Sequence, residues 1–246
     1  MNRLRLAALL LAAAAAGPAR AESPRLGSFQ FQMTSYRPNV DAEFKGKLGC
    51  GGGTVDCTPF RDIYGTGGSW IYSLQVASSL YVGLPGSLDL GLGVGYFSKT
   101  GKGLIQGTLT PSGDDTSFRI VPLSLSLTWR FDGFATSFPL VPYARASLLR
   151  YQWWITNGSG STASTPLAGS GSGATMGWGV AAGVAFLLDF LDPQLGREMD
   201  RDVGINHTYL FLEAARDKVD GFGSSKSWDL SNDRSLAWSG GILFVF

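Results

Sequence analysis

The sequence predicts an all-β chain folded as an eight-stranded antiparallel transmembrane β-barrel with one short periplasmic helix. Three observations carry that reading. Over 246 residues, 44% hydrophobic side chains accompany only 16% charge and 34 glycines, where a soluble domain has about 25% charge and ~7% glycine. After the N-terminus, no stretch approaches the ~20 unbroken apolar residues of a membrane-crossing helix. Apolar residues instead recur with period two over runs of about 12–16 residues, longer than the ~5–6 of globular strands. Collagen is excluded because the glycines follow no triplet period, and disorder because the chain carries 15 Phe, 8 Tyr and 7 Trp.

Residues 1–21 read as a cleaved secretory signal. Arg3 and Arg5 form the basic start, residues 6–16 the apolar core, and Ala19-Arg20-Ala21 the small-x-small cleavage site. The remaining residues 22–246 form one barrel domain. Loss of Arg3, Arg5 and Arg20 takes the 20 basic residues to 17 against 19 acids, a net charge of −2. That balance excludes a nucleic-acid partner. The two cysteines, Cys50 and Cys57, read as a disulfide in an exported chain. Metal binding there would need further ligands, and the chain has one histidine. No phosphate-binding glycine loop, CxxC or HExxH is present, so no cofactor is expected.

Alternation marks the strands at about 28–37, 69–83, 87–99, 115–131, 140–156, 174–188, 206–217 and 234–246. Trp70, Tyr72, Leu74, Val76, Ser78, Leu80 and Val82 share one face, with Ile71, Ser73, Gln75, Ala77, Ser79 and Tyr81 on the other. Leu88, Leu90, Leu92, Val94 and Tyr96 do the same against Asp89, Gly91, Gly93 and Gly95. Grease on one side and small residues on the other suits a narrow closed barrel, because open sheet edges cannot persist in hydrocarbon. A soluble β-sandwich also alternates, but its strands are shorter and its polar face is richer in Lys and Glu.

An even strand count puts both termini at the periplasmic side. Residues 38–68, 100–114, 157–173 and 218–233 are then long outer loops, and residues 83–87 and 131–140 short turns. The longer periplasmic connection, 189–205, predicts a short helix. Asp192 is its N-cap, Pro193 opens it, Leu195 and Met199 lie four apart, and Gly204 follows its end. Pro122 conflicts with a mid-strand position, and Phe118 and Ile120 lie on the opposite parity to Leu123 and Trp129, which predicts a bulge near Val121-Pro122.

The C-terminus alternates through Leu236, Trp238, Gly240, Ile242, Phe244 and Phe246 to the last residue. This resembles the C-terminal strand of outer-membrane barrel proteins, so Trp238, Ile242, Phe244 and Phe246 are the expected signal for the barrel-assembly machinery, with periplasmic chaperones as transit partners. The segments Gly93-Val94-Gly95-Tyr96-Phe97, Pro139-Leu140-Val141-Pro142-Tyr143-Ala144, Leu188-Asp189-Phe190-Leu191-Asp192-Pro193 and residues 204–211 extend the likeness over the whole mature chain. It resembles a family of small outer-membrane β-barrels known from myxobacteria. The resemblance implies a barrel of OmpA/OmpX-like architecture in the outer membrane and implies no particular activity.

Strand parity points Gln75, Asp89, Arg130, Arg145 and Glu213 into the lumen, where the charges are expected to pair. A polar conduction path is the alternative use of the same residues. His207 opens the seventh strand at the periplasmic end with no nearby serine, so it reads as a turn-holding residue rather than the base of a lipid-modifying enzyme. Trp70, Tyr72, Tyr96, Trp129, Trp153, Trp154, Trp178 and Trp238 are expected in interfacial girdles, and Arg150 outward near lipopolysaccharide phosphates. The expected role is non-enzymatic: a structural or surface-interaction barrel with a plugged lumen, in contact with outer-membrane lipid and lipopolysaccharide. A narrow pore for small solutes and an outer-membrane lipid-modifying enzyme are the alternatives. The loop carrying Cys50 and Cys57 is the candidate recognition element for an extracellular ligand.

Overall fold

The computed structural model describes residues 23–44, 58–105, 110–135, 138–165, 169–224 and 227–246. The signal segment and the Cys50–Cys57 pair lie outside the described residues. Eight long strands close into one barrel: β1 Gly27–Tyr36, β2 Ser69–Val82, β3 Ser87–Leu104, β4 Pro111–Arg130, β5 Leu140–Thr156, β6 Ser172–Leu187, β7 His207–Lys218 and β8 Ala237–Val245. Each strand pairs antiparallel with its sequence neighbours, and β1 closes the ring on β8. That seam runs in register from Ser28 opposite Val245 to Thr34 opposite Ser239. It is finished by Phe246, whose carbonyl accepts from the Leu26 and Gly27 amides at 2.7 and 2.8 Å. Closure leaves no unpaired edge.

The two faces follow the alternation. Leu74, Val76, Leu90, Leu92, Leu125, Val184 and Leu212 point outward into a continuous apolar belt, with Leu92 68% and Leu212 59% exposed. Among the described residues no helix is long and apolar enough to cross a membrane. Inside, glycine, serine and alanine keep the barrel narrow.

Three expectations from the sequence are corrected here. Residues 100–104 and 111–114 are strand rather than loop, because β3 and β4 continue as a ladder with Lys102 opposite Asp115 and their side chains 2.7 Å apart. No bulge occurs at Pro122. Val94 faces Leu123 and Phe97 faces Ile120 in one unbroken register, and Pro122 stays paired with Tyr151 on β5. Proline only removes an N–H, so the β3 ladder lapses opposite Gly95 and Tyr96 and resumes. Phe118 and Ile120 face inward because the interior itself turns apolar toward the loop end. For the same reason Trp153 points into the barrel rather than to an outer girdle.

That apolar interior joins Tyr36, Ile71, Phe97, Phe118, Ile120, Tyr151 and Trp153 to Val40, Phe60, Val219 and Leu230 from the connections above. The β1–β2 connection supplies a 3-10 turn, Val40–Phe44, and a short helix, α1, Pro59–Tyr64. Asp41 holds the start of α1 by accepting from the Phe60 and Arg61 amides at 2.7 and 3.2 Å. Burial lifts the Asp41 carboxyl above the usual carboxylate range, and those two amides oppose the shift. The β7–β8 connection is stitched to this layer. Tyr36 donates to the Leu230 carbonyl at 2.6 Å, Asn39 donates to Asp229 at 2.7 Å, and Trp228 stacks on Trp153 at 4.2 Å and 8°.

Truncating a core aromatic costs about 3–5 kcal/mol, with the half-buried Trp228 at the low end. Trp228→Ala is therefore expected to speed proteolysis within residues 219–236 several-fold while the barrel keeps its heat-modifiable mobility on unboiled gels. Unchanged cleavage would show that the stack does not hold this loop.

At the opposite, turn end, the β6–β7 connection folds as the helix α2, Pro193–Val203. Asp192 caps it by accepting from the Gln194 and Leu195 amides at 3.1 and 3.0 Å, and Gly204 ends it in the left-handed region at φ 71°.

Candidate functional site: the lumen and its two ends

The lumen is layered. In the middle, β1, β5, β7 and β8 converge on Glu213, which is 1% exposed. Its Oε1 accepts from Gln32 at 2.6 Å, from Ser239 at 2.9 Å and from the Arg145 guanidinium, while its Oε2 accepts from Tyr143 at 2.9 Å. Arg145 also reaches the Gln32 amide oxygen at 3.3 Å, which in turn accepts from Gln30 at 2.9 Å. A buried carboxylate needs this many donors because its water shell has been stripped away.

Above Glu213, Asp217 accepts a hydrogen bond from Tyr151. A cavity of about 90 Å³ lies between them, lined by Gln30, Gln75, Arg145, Tyr151, Glu213 and Asp217 among others. Its lining is mixed, with Ile71 and Leu149 beside those polar groups, and it is large enough for several water molecules. The apolar cluster around Tyr36 and Phe118 covers it on the loop side.

Toward the turn end the interior tightens to a space of about 10 Å³ between Gln75 and the Asp89–Arg130 pair. Asp89 and Arg130 meet at 2.5 Å, both almost fully buried. Ser79 donates to Asp89 at 2.9 Å. Arg130 also faces Asp132, just past β4, which accepts from Ser87 at 2.8 Å and lies 3.5 Å from Arg25. Arg25 continues to His207 at 2.7 Å, and His207 to Asp189 at 2.8 Å. Because arginine only donates, His207 Nε2 accepts and Nδ1–H donates to Asp189. Asp189 also accepts from the Thr208 amide at 3.2 Å, tying the β6–β7 connection to the start of β7. An apolar cluster of Val141, Tyr143, Ala185, Leu187, Tyr209, Phe211, Leu243 and Val245 fills the rest of this end.

The structure thus places the five lumen residues of the sequence reading in two groups. Arg145 pairs with Glu213, Asp89 pairs with Arg130, and Gln75 lines the space between. Arg150 is exposed on the outer face, and Trp70, Tyr72, Tyr96, Trp178 and Trp238 are exposed toward the loop end. Trp129 stacks on Tyr81 at 6.2 Å near the turn end. Trp238, Ile242, Phe244 and Phe246 share the outer parity of β8.

Sequence reasoning missed Gln32, Tyr143, Tyr151 and Asp217, although parity along their strands puts them on the inner face. It also missed Arg25 and Asp132, which lie outside the strands and carry no periodic signal. Among the described residues, no group of three or more His, Cys, Asp or Glu side chains converges as metal ligands would.

At the loop end an apolar recess of about 120 Å³ opens between Phe44, Phe60, Ile63, Tyr64, Ile155 and Trp228. Burial raises the Tyr64 hydroxyl above the ordinary tyrosine range.

Pairing, register and the two-faced strands define the class: a closed, eight-stranded antiparallel barrel with a packed interior. No protein-family model and no curated protein sequence matches the chain. Solved structures that resemble it include three barrels. The N-terminal β-barrel domain of Pseudomonas aeruginosa OprF aligns at 10% identity over 91% of this chain and 100% of that one, with a TM-score of 0.39. Ail of Yersinia pestis, solved with the heparin analogue sucrose octasulfate, aligns at 10% identity over 90% and 97%, at 0.36. Outer membrane protein OprG of Pseudomonas aeruginosa aligns at 13% identity over 90% and 97%, at 0.47. At those identities and scores the fold assignment stands on the strand pairing itself.

Proposed function

We propose that this chain is a non-enzymatic β-barrel of the bacterial outer membrane, of the small myxobacterial type, exported by a cleaved signal. Its lumen is plugged, and its work lies at the loop end. The observation that carries the reading is a lumen packed at both ends inside a wall whose outer face is apolar. Such a wall has no place in water, since soluble monomers rarely expose contiguous apolar patches beyond a few hundred Å². Interaction with the surroundings then falls to the loop-end surface, where the stitched β1–β2 and β7–β8 connections present the apolar recess and where Cys50 and Cys57 staple the first loop. Arg150 faces lipopolysaccharide phosphates on the outer wall. Trp238, Ile242, Phe244 and Phe246 are read by the assembly machinery, after periplasmic chaperones have carried the chain across. His207 supports the non-enzymatic reading, because both ring nitrogens are already engaged.

In planar bilayers the unaltered protein is expected to give no steady conductance. A steady conductance that bulky substitutions at Ser73 or Ser147 abolish would replace the plug with a narrow pore. Incubation with lipopolysaccharide followed by mass spectrometry is expected to return the lipid unchanged, and a shifted lipid mass would replace it with an enzyme.

A further inference from the structure

The helix α2 has three sides, and one of them is unmatched. Asp200 and Gly196 face the barrel. Asp200 accepts from Ser23 and lies 3.5 Å from the Asn206 amide nitrogen, and a Cβ on Gly196 would meet Asp189 at 3.1 Å. The solvent side carries Gln194, Arg197, Glu198, Arg201 and Asp202. The third side is a stripe of Leu195, Met199 and Val203 at a spacing of four, with Leu191 just before the Asp192 cap. At about 100° per residue the stripe is centred roughly a quarter turn from the barrel-facing side. It therefore lies off the side that packs on the barrel. Leu191, Leu195 and Val203 are exposed there, with no protein group over them.

The stripe continues a ring. Leu26 beside the C-terminal residue, Leu84 in the β2–β3 turn, Phe131 and Phe138 around the β4–β5 turn and Phe190 before α2 are all exposed. The outward apolar belt thus runs past the strand ends onto each turn-end connection. A lone exposed leucine at a turn needs no explanation, but a ring that joins the belt does.

We propose that α2 lies flat in the interfacial layer of the periplasmic leaflet, with its stripe among the upper acyl carbons of the phospholipids. Eleven residues make a helix of about 16 Å, too short to cross and long enough to lie along the surface. Arg197 and Arg201 are balanced by Glu198 and Asp202, so the contact is driven by the apolar stripe rather than by attraction to anionic lipid. The proposal rests on the outer-membrane reading, and its test separates the two.

The full chain, with Cys50→Ser and Cys57→Ser, is refolded in phosphatidylethanolamine–phosphatidylglycerol vesicles and spin-labelled one site at a time at Leu195→Cys, Arg201→Cys and Leu212→Cys. Collision with oxygen reports lipid, and collision with a nickel chelate reports water. The labels at 195 and 212 are expected to favour oxygen several-fold, and the label at 201 the chelate. A label at 195 that behaves like the one at 201 overturns the interfacial helix. So does one shielded from both reagents, since protein would then cover the stripe. Chelate access at 212 overturns the membrane reading beneath it. If the cysteine-free chain does not refold, Met199 of the unsubstituted chain gives the answer. Peroxide is expected to oxidise it several-fold more slowly in vesicles than in a free peptide of residues 192–204, and equal rates overturn the proposal.

Discussion

Glu213→Gln is expected to lower the stability of the folded barrel by about 3–5 kcal/mol, the cost of leaving a buried charge without its partner. Arg145 lies beside Glu213 with little access to water, and Gln32, Ser239 and Tyr143 all aim donors at the same carboxylate. Glutamine keeps the shape but removes the charge, and it turns one acceptor atom into a donor facing other donors. Urea unfolding in lipid, followed by tryptophan fluorescence, measures the loss as a lower midpoint at unchanged slope. The paired change Glu213→Leu with Arg145→Met is expected to recover most of it, because removing both partners of a buried pair is often neutral. A single substitution costing under about 1 kcal/mol would mean that water reaches the carboxylate, and the plugged lumen would fail with it.

Gly241→Ala is expected to damage barrel closure. Gly241 faces inward on β8 at the seam, opposite Gln32 on β1. An added Cβ would stand 1.9 Å from the Phe31 carbonyl oxygen and 3.0 Å from the Gln32 Cα, and both are backbone atoms that no rotamer change can move. Relief requires β1 to back away from β8, which breaks seam hydrogen bonds and pulls Gln32 off Glu213. Overpacking costs about 1–3 kcal/mol where side chains can yield, and more where only backbone can. The refolded fraction on unboiled gels is the readout. Gly240→Ala is the comparison, since its added Cβ points outward and meets nothing closer than 3.2 Å. Equal yields from the two variants would show that the seam has slack.

Much of this architecture is legible in the order of residues. Period two with grease on one side places all eight strands, mostly within a few residues of their ends, because outward and inward positions face different solvents. Asp192, Pro193 and Gly204 locate α2, since a cap, a proline at the first turn and a left-handed glycine act within a few bonds. Parity also sends Asp89, Arg130, Arg145 and Glu213 inward, and extended consistently it would have added Asp217 and Tyr143.

The failures share one cause. Phe118, Ile120 and Trp153 looked misplaced because an inner face was expected to stay small or polar along its whole length. That expectation breaks where two distant connections fold over the mouth and turn the loop end of the interior into an apolar core. Pro122 suggested a bulge because a missing N–H was taken to need an extra residue, whereas a ladder held on its other edge tolerates the gap.

What the sequence determines by itself is therefore everything set by short range and by the two-sided environment of a strand: the strand count, their facing, the capped helix and the inward charges. What only the tertiary structure decides is which of those groups meet. Arg145 reaches Glu213 across the lumen, Arg130 finds Asp132 and Arg25 beyond the strand ends, and Trp153 finds Trp228 from another loop. These contacts depend on closure, and closure adds β1 to β8 across almost the full length of the chain, a separation that no local pattern encodes.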